Sequence, residues 1–457
     1  MSSMESVAAR FGTFIAGITL DNTPPEVVEK AKACLLNAYG IGLGSDHLPY
    51  APVARRAVLD MDGEQANGAT IFGDGRKTSI SGATLANAVL MHGRNQEDFV
   101  GGSTHIGVIV PPLLAALLEA KRMPIERLVP AVIAGYEIGV RLDIAYAGRT
   151  TPNGFRGTPL FGTVAAAAAV ARLYNLPAER CQAAVANAAA LAGGTLASQF
   201  AGTDEWRYQV GLFAGMGMNA AFLAGAGSVS VPRAFEAKVG FGKVFAGAEG
   251  EISGLTDRLG EDWAIMDVCF KPYPLPAWNQ TPVLIGLRVR AAMGTRVARH
   301  VEVRMNPYEV NYPGKNSPGP FDTDTAAKLS ILYTVATTLA HGEPTFPQLL
   351  DYRNAKTTAV LERMTLVPDP AIPRLSCRIK VTLEDGGIVE ETMTRGWRDY
   401  GFDCDEVSRM VRRVGAETAV PPQAYDRLDA FVRKLPRGGD IRELVESFAF
   451  INPERTP

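Results

Sequence analysis

At 457 residues the chain is too long for one ordinary core, so two or three domains are expected. Its 47% hydrophobic and 21% charged residues exclude a disordered chain and fit a soluble globular one. With 46 Lys plus Arg against 48 Asp plus Glu, a formal charge of -2, no global field recruits nucleic acid or an anionic membrane.

The five cysteines, Cys34, Cys181, Cys269, Cys377 and Cys404, are scattered and include no CxxC pair. Neither a disulfide framework nor a zinc–thiolate site is expected, and a reducing cytoplasm fits best. MSSMESVAARFGTFIAG has Glu5 before any basic residue and no cleavage site behind a sustained apolar core, so no signal peptide is read. Thr23-Pro24-Pro25 opens a helix through VVEKAKACLLNAYGIGL, proline supplying the first-turn φ. Apolar residues at three- and four-residue spacing predict helices over ATLANAVLMHGRNQ, PPLLAALLEAK, ERLVPAVIAGYEIGVRLDIAY, TVAAAAAVARLYN and ERCQAAVANAAALAGG. Their Ala and Gly content permits close crossings and implies a helical bundle rather than a sheet flanked by helices. Residues 208–232 carry no charge and are long enough to span a bilayer, but their glycines, Asn219, Ser228 and Ser230 make them weakly hydrophobic. A buried core helix is expected there, and no membrane partner.

Around Asp267 the character changes. FKPYPLPAWNQTP is punctuated by proline and resembles a crossing between domains. Beyond it RHVEVRM alternates as a strand, DTAAKLSILYTVATTLAHG reads as helix, and LSCRIKVTLEDGGIVEETMTR reads as a hairpin turning at Glu384-Asp385-Gly386-Gly387. From about Cys404 the chain returns to helix with DEVSRMVRRVGAE and YDRLDAFVRKL. The expected organisation is mostly α: a helical domain from residues 1–267 and 404–457, and a smaller α+β lid domain from 268–403.

GMGMNA, residues 215–220, matches GxGxxA, but no second βαβ unit surrounds it, so no dinucleotide cofactor is expected. GxxxxGK[ST], HExxH and GxSxG do not occur. The richest stretch is MHGRNQEDFVGGSTHIGVIVPP, residues 91–112, where Glu97 and Asp98 stand between His92 and His105. As a metal site for a hydrolase these four residues lack the spacing of a standard helical pair. As a plain helix end they place acids at the negative end of the macrodipole, where a buried carboxyl is pushed up. His105, past the Gly101-Gly102 turn and near the start of the next helix, is expected neutral. An acid held protonated and a neutral histidine across one turn suit proton transfer next to a carboxylate or carbonyl; a satisfied structural histidine is the other reading.

At this stretch the chain resembles the MmgE/PrpD family of 2-methylcitrate dehydratases, cis-aconitate decarboxylases and iminodisuccinate epimerases. The family run N-G-x-x-x-H-x-L-D-F-D-D-T falls without gaps on residues 87–99, followed by Thr104, His105 and VIVPPLL. NGFRGTPLFGTVAAAAAVARLYNL, EWRYQVGLFAGMGMNAAFLAG, FKPYP and TAAKLSILYTVATTL follow in family order. The resemblance implies a large helical domain with an inserted α+β domain, an active site in the cleft between them, a homodimer, and chemistry without organic cofactor or metal.

It also implies roles. His105 would be the acid or base facing Lys271, which would stabilise developing enolate charge, and Asp98 would orient that pair or share its proton. Asn95, Phe99, Arg156, Trp206 and Gln280 stand where family members carry other residues, as does Val210; with Arg207 and Tyr273 the first five form the expected substrate contacts. Exchange of Lys for Trp206 and of His for Val210 removes cations, so the expected substrate is less anionic than citrate. The expected activity is that of a lyase or isomerase, of dehydratase, decarboxylase or epimerase type, in specialised biosynthesis. A non-catalytic ligand-binding protein of the same fold is the rival, and a metal-dependent hydrolase the third reading.

Overall fold

The computed structural model describes residues 5–101, 104–250 and 254–449. Two large hydrophobic cores divide it: one takes in residues from Val7 to Phe270 and again from Val407 to Phe448, the other runs from Tyr273 to Met393. The first is helical. Pro25–Leu43, Val110–Lys121, Leu128–Thr150, Gly157–Leu173, Ala178–Leu191 and Glu205–Ala226 are its principal helices, joined by Cys404–Thr418 and Pro422–Lys434 from the end of the chain.

Small residues set how closely these helices cross. A Cβ on Gly217 would stand 2.3 Å from the carbonyl oxygen of Thr163, so Glu205–Ala226 meets Gly157–Leu173 almost backbone to backbone. That packing covers one face only. Leu212 is 52% and Leu223 53% exposed, and Met216 and Phe222 are also exposed, so the core helix expected over 208–232 keeps an apolar stripe uncovered. Among the described residues it is the one helix long and apolar enough to cross a membrane.

The second core lies under a four-stranded sheet. Ala298–Met305 pairs parallel with Met364–Pro368 and antiparallel with Cys377–Leu383, which forms the hairpin with Ile388–Met393. Burial alternates along Cys377–Leu383, one face packing on Gln280–Met293 and Ile331–His341. The helix expected across 324–342 breaks at Ser330, whose backbone is extended. Its Oγ caps the following helix at Tyr333 N, 3.1 Å, and donates to the Ser317 carbonyl at 2.7 Å.

Two further departures shape the cleft. The helix expected to run to Gln96 is Ile80–His92, so Glu97 and Asp98 stand beyond its end and the macrodipole argument does not apply to them. His105 precedes a 3-10 turn, Ile106–Val108, rather than the α-helix itself; Gly102 of the expected glycine turn lies outside the described residues. From Phe270 the prolines keep the chain irregular up to a short 3-10 turn, Ala277–Asn279, that opens Gln280–Met293.

Candidate active site

One antiparallel bridge assembles the site. Phe99 N donates to the Cys269 carbonyl at 2.8 Å, and Cys269 N returns a bond to the Phe99 carbonyl at 2.9 Å. In such a pairing the residue two before one partner faces the residue two after the other, on the same side. Those residues are Glu97 and Lys271. Both are fully buried, with Lys271 Nζ 2.7 Å from Glu97 Oε1. Asn95 Oδ1 accepts a second bond from the ammonium at 3.2 Å. Asn95 itself has φ +57, a left-handed conformation that a short amide tolerates better than most side chains.

The other Glu97 oxygen meets a histidine. His92 Nδ1 is 3.2 Å from Glu97 Oε2, near but out of line for a good hydrogen bond. On the far side of the ring, Arg156 Nη2 lies 2.8 Å from His92 Nε2. A guanidinium only donates, so Nε2 accepts and the proton sits on Nδ1, toward Glu97. Arg156 is fixed in turn by the Trp206 carbonyl and by Gln209 Oε1 at 3.2 Å.

His105 takes the same tautomer but leaves its Nε2 to the cleft. Its Nδ1 is 2.7 Å from the backbone carbonyl of Asp98, an acceptor only, so Nδ1 carries the proton and Nε2 keeps its lone pair. The ring lines the cleft with 9% of the residue exposed. Burial, reinforced by Lys271, holds the imidazole well below its ordinary value, so it is a neutral base near pH 7. His92 is held to about 4, by burial first and then by Arg156 and Lys271 against the opposing pull of Glu97. Burial pushes the Glu97 carboxyl up, but Lys271, His92 and His105 together outweigh it and keep the carboxylate ionised, while burial pulls the Lys271 ammonium down.

The structure places several expected residues elsewhere. Asp98 orients His105 through its backbone carbonyl, but its carboxylate is bound elsewhere. Its Oδ2 accepts from Tyr136 Oη at 2.6 Å and its Oδ1 from Gly107 N at 3.0 Å, and a Cβ on Gly107 would stand 2.8 Å from that carboxylate. Burial pushes its carboxyl up to about 6. Glu97 fills the position expected of Asp98. Phe99 is buried among Trp397 and Tyr400 rather than at the cleft. Gln280 is spent on the crossing, its Oε1 accepting from Tyr273 N at 3.1 Å and its Nε2 donating to the carbonyls of Tyr273 and Leu275 at 3.1 and 2.9 Å. Tyr273 belongs to the second core and is not among the residues lining the cleft.

Asn95, His105, Arg156, Trp206 and Arg207 do line it. So do residues that sequence reasoning missed: Trp278, Tyr312, Lys315 and Lys328. Lys315 and Lys328 sit in polar or helical stretches where nothing in the spacing marks a ligand. With Arg156 and Arg207 they make four cationic side chains around one cleft, which removes the physical reason for expecting a weakly anionic substrate. The metal reading also loses its donor set, because the Lys271 ammonium occupies Glu97; among the described residues no three His, Cys, Asp or Glu side chains are grouped to hold a metal ion.

The MmgE/PrpD N-terminal domain family matches residues 9–251. A cis-aconitate decarboxylase-like protein, oryM, of Aspergillus oryzae is 23% identical over 472 aligned positions, covering 96% of this chain and 96% of its own. The cis-aconitate decarboxylase of Mus musculus is 26% identical, covering 86% of this chain and 84% of its own, and that of Homo sapiens 25% identical, covering 86% and 85%.

Proposed function

The chain belongs to the MmgE/PrpD family, and from that premise we propose that it is a lyase moving a proton on the carbon skeleton of a small polycarboxylic acid. Its relatives named cis-aconitate decarboxylase favour loss of carbon dioxide from an unsaturated acid of that type. The observation that carries the reading is the neutral His105 presenting Nε2 to a cleft lined with cations. Loss of carbon dioxide leaves an electron pair on carbon that must take up a proton; loss of water begins with removal of a proton next to a carboxylate. In loss of water His105 Nε2 takes the proton from carbon; in loss of carbon dioxide it first takes a proton from solvent and then delivers it to the carbon left with the electron pair. The buried Lys271 lends its positive field from behind Asn95, and Arg156 anchors a carboxylate by its planar fork. Glu97 and His92 keep Lys271 and Arg156 charged and aimed. No organic cofactor or metal enters this scheme, so exhaustive chelation and dialysis should leave turnover unchanged.

The test is incubation with cis-aconitate, citrate and 2-methylcitrate in deuterated water, followed by NMR. Carbon dioxide loss with one deuterium retained in the product, abolished in His105→Ala, is the expected result. Full turnover in that variant overturns the role of His105. Tight binding without turnover or exchange favours the non-catalytic reading of the same fold.

The homodimer expected of the family is proposed to form on the exposed apolar stripe of Glu205–Ala226. Residues 208–232 are uncharged, so the stripe is complementary to a second copy of itself. A cytoplasmic setting is part of the same proposal.

A further inference from the structure

Four cations line the cleft, but two of them are already compensated. Lys328 Nζ is 2.6 Å from Asp324 Oδ2, and Arg207 Nη1 is 3.0 Å from Asp204 Oδ1 while its guanidinium lies between the rings of Tyr50 and Trp206. Arg156 and Lys315 have no carboxylate within ion-pair distance among the described residues, only the more distant fields of Glu97 and Glu309, and both are buried. An uncompensated buried charge is costly to keep, and a fold retains one where an anion completes it.

Lys315 is held in place by one residue. Its Nζ donates to Asn279 Oδ1 at 2.7 Å. The Asn279 amide nitrogen points at the carbonyls of Lys328, Leu329 and Ser330, at 3.3, 3.4 and 3.2 Å, and at Thr334 Oγ1 at 3.1 Å. With its donor committed to the helix break at Ser330, Asn279 can turn only its oxygen to the lysine. The ammonium stands 5.6 Å from the centre of the Trp278 ring. Trp206 Nε1, Arg207 Nε and Trp278 Nε1, on residues that line the same cleft, are buried N–H donors, and none has an acceptor among the described residues. Donors left without acceptors around an unpaired ammonium describe a site built for oxygen atoms that arrive with a ligand.

Resting on the reading of the cleft as a site for carboxylic acids, we infer that Lys315 is its specificity-determining residue, taking a second carboxylate of the substrate while Arg156 takes the first. Arg156 belongs to the helical part and Lys315 to the α+β part, so one bound diacid ties the two together. Monoacids forfeit the Lys315 contact and leave its ammonium unpaired.

The test uses unreactive saturated acids, so that it does not depend on turnover. Calorimetric titration of the full chain with tricarballylate, glutarate and butyrate is compared between the unaltered protein and Lys315→Met and Lys315→Arg. Lys315→Met should weaken diacid binding by about ten- to a hundredfold, the factor carried by a hydrogen bond to a charged group, and leave butyrate unchanged; Lys315→Arg should recover part of the loss. An unchanged ratio of diacid to monoacid affinity in Lys315→Met overturns the inference, as does failure of every acid to bind the unaltered protein. Selective diacid binding that depends on Lys315, with no turnover of any acid, would retire the lyase reading and leave the inference standing.

Discussion

Lys271 Nζ lies 2.7 Å from Glu97 Oε1 because the bridge between Phe99 and Cys269 sets two distant stretches in register. The acid loop and the proline-rich crossing each supply half of an ion pair that neither could bury alone. From it the contacts run outward through His92 to Arg156 and through Asn95 to the cleft.

Breaking that pair should cost more than removing it. Glu97→Gln leaves a buried ammonium without its carboxylate and is expected to destabilise the fold by about 3–5 kcal/mol. Glu97→Gln combined with Lys271→Met should recover most of that stability and none of the turnover. Urea unfolding of the two variants measures the first claim; product formation measures the second. Equal stability of the single and double variants would contradict the pairing.

Arg156→Lys retains the charge and loses the fork. A lysine cannot reach His92 Nε2, the Trp206 carbonyl and Gln209 together, so His92 loses the contact that places its proton on Nδ1. Imidazole nitrogen shifts should show the His92 tautomer changing, with kcat/KM down about ten- to a hundredfold. An unchanged tautomer would separate Arg156 from this network.

Much of the fold is legible in the sequence because periodicity reports burial. The apolar spacing of PPLLAALLEAK and the alternation of RHVEVRM correspond to Val110–Lys121 and Ala298–Met305. What periodicity does not carry is partner choice. Glu97 and Asp98 are adjacent acids, and only the Phe99–Cys269 bridge decides that Glu97 meets Lys271 while Asp98 turns to Tyr136. Lys328 stands two residues before the break at Ser330, which Asn279 holds from some fifty residues away and which local composition reads as one unbroken helix; Lys315, on the loop before that segment, is placed by the oxygen of the same Asn279. The apolar run 208–232 shows why hydrophobicity alone misplaces an element, since the face with Gly211 and Gly217 is buried and the face with Leu212 is not.

The uncovered stripe gives a prediction about assembly. Leu212→Glu with Leu223→Glu places two charges on an uncharged stretch of helix, and should shift the protein from dimer to monomer in light scattering at micromolar concentration. Both side chains are more than half exposed, so the monomer should keep its helical circular dichroism. A dimer that survives both substitutions uses another face.

Lys315 should also reveal itself through stability. Burial, with Lys271 adding to it and Glu309 opposing it, pulls its ammonium down to about 7, whereas in the unfolded chain a lysine titrates at about 10.4. Between these values the unfolded state binds the proton that the folded state has lost, so this lysine makes the fold more stable as pH rises from 7 toward 10, and its penalty is full below 7. Lys315→Met removes the penalty, at the smaller expense of leaving Asn279 Oδ1 without its donor, and should stabilise the ligand-free protein by on the order of 1–3 kcal/mol at pH 6. The gain should shrink at pH 8 and be gone near pH 10. Thermal unfolding at the three values checks both sign and window, and a variant less stable than its parent at pH 6 would mean that Lys315 is compensated within the protein. The stability given up to hold an unpaired ammonium is then the counterpart of the diacid affinity it supplies.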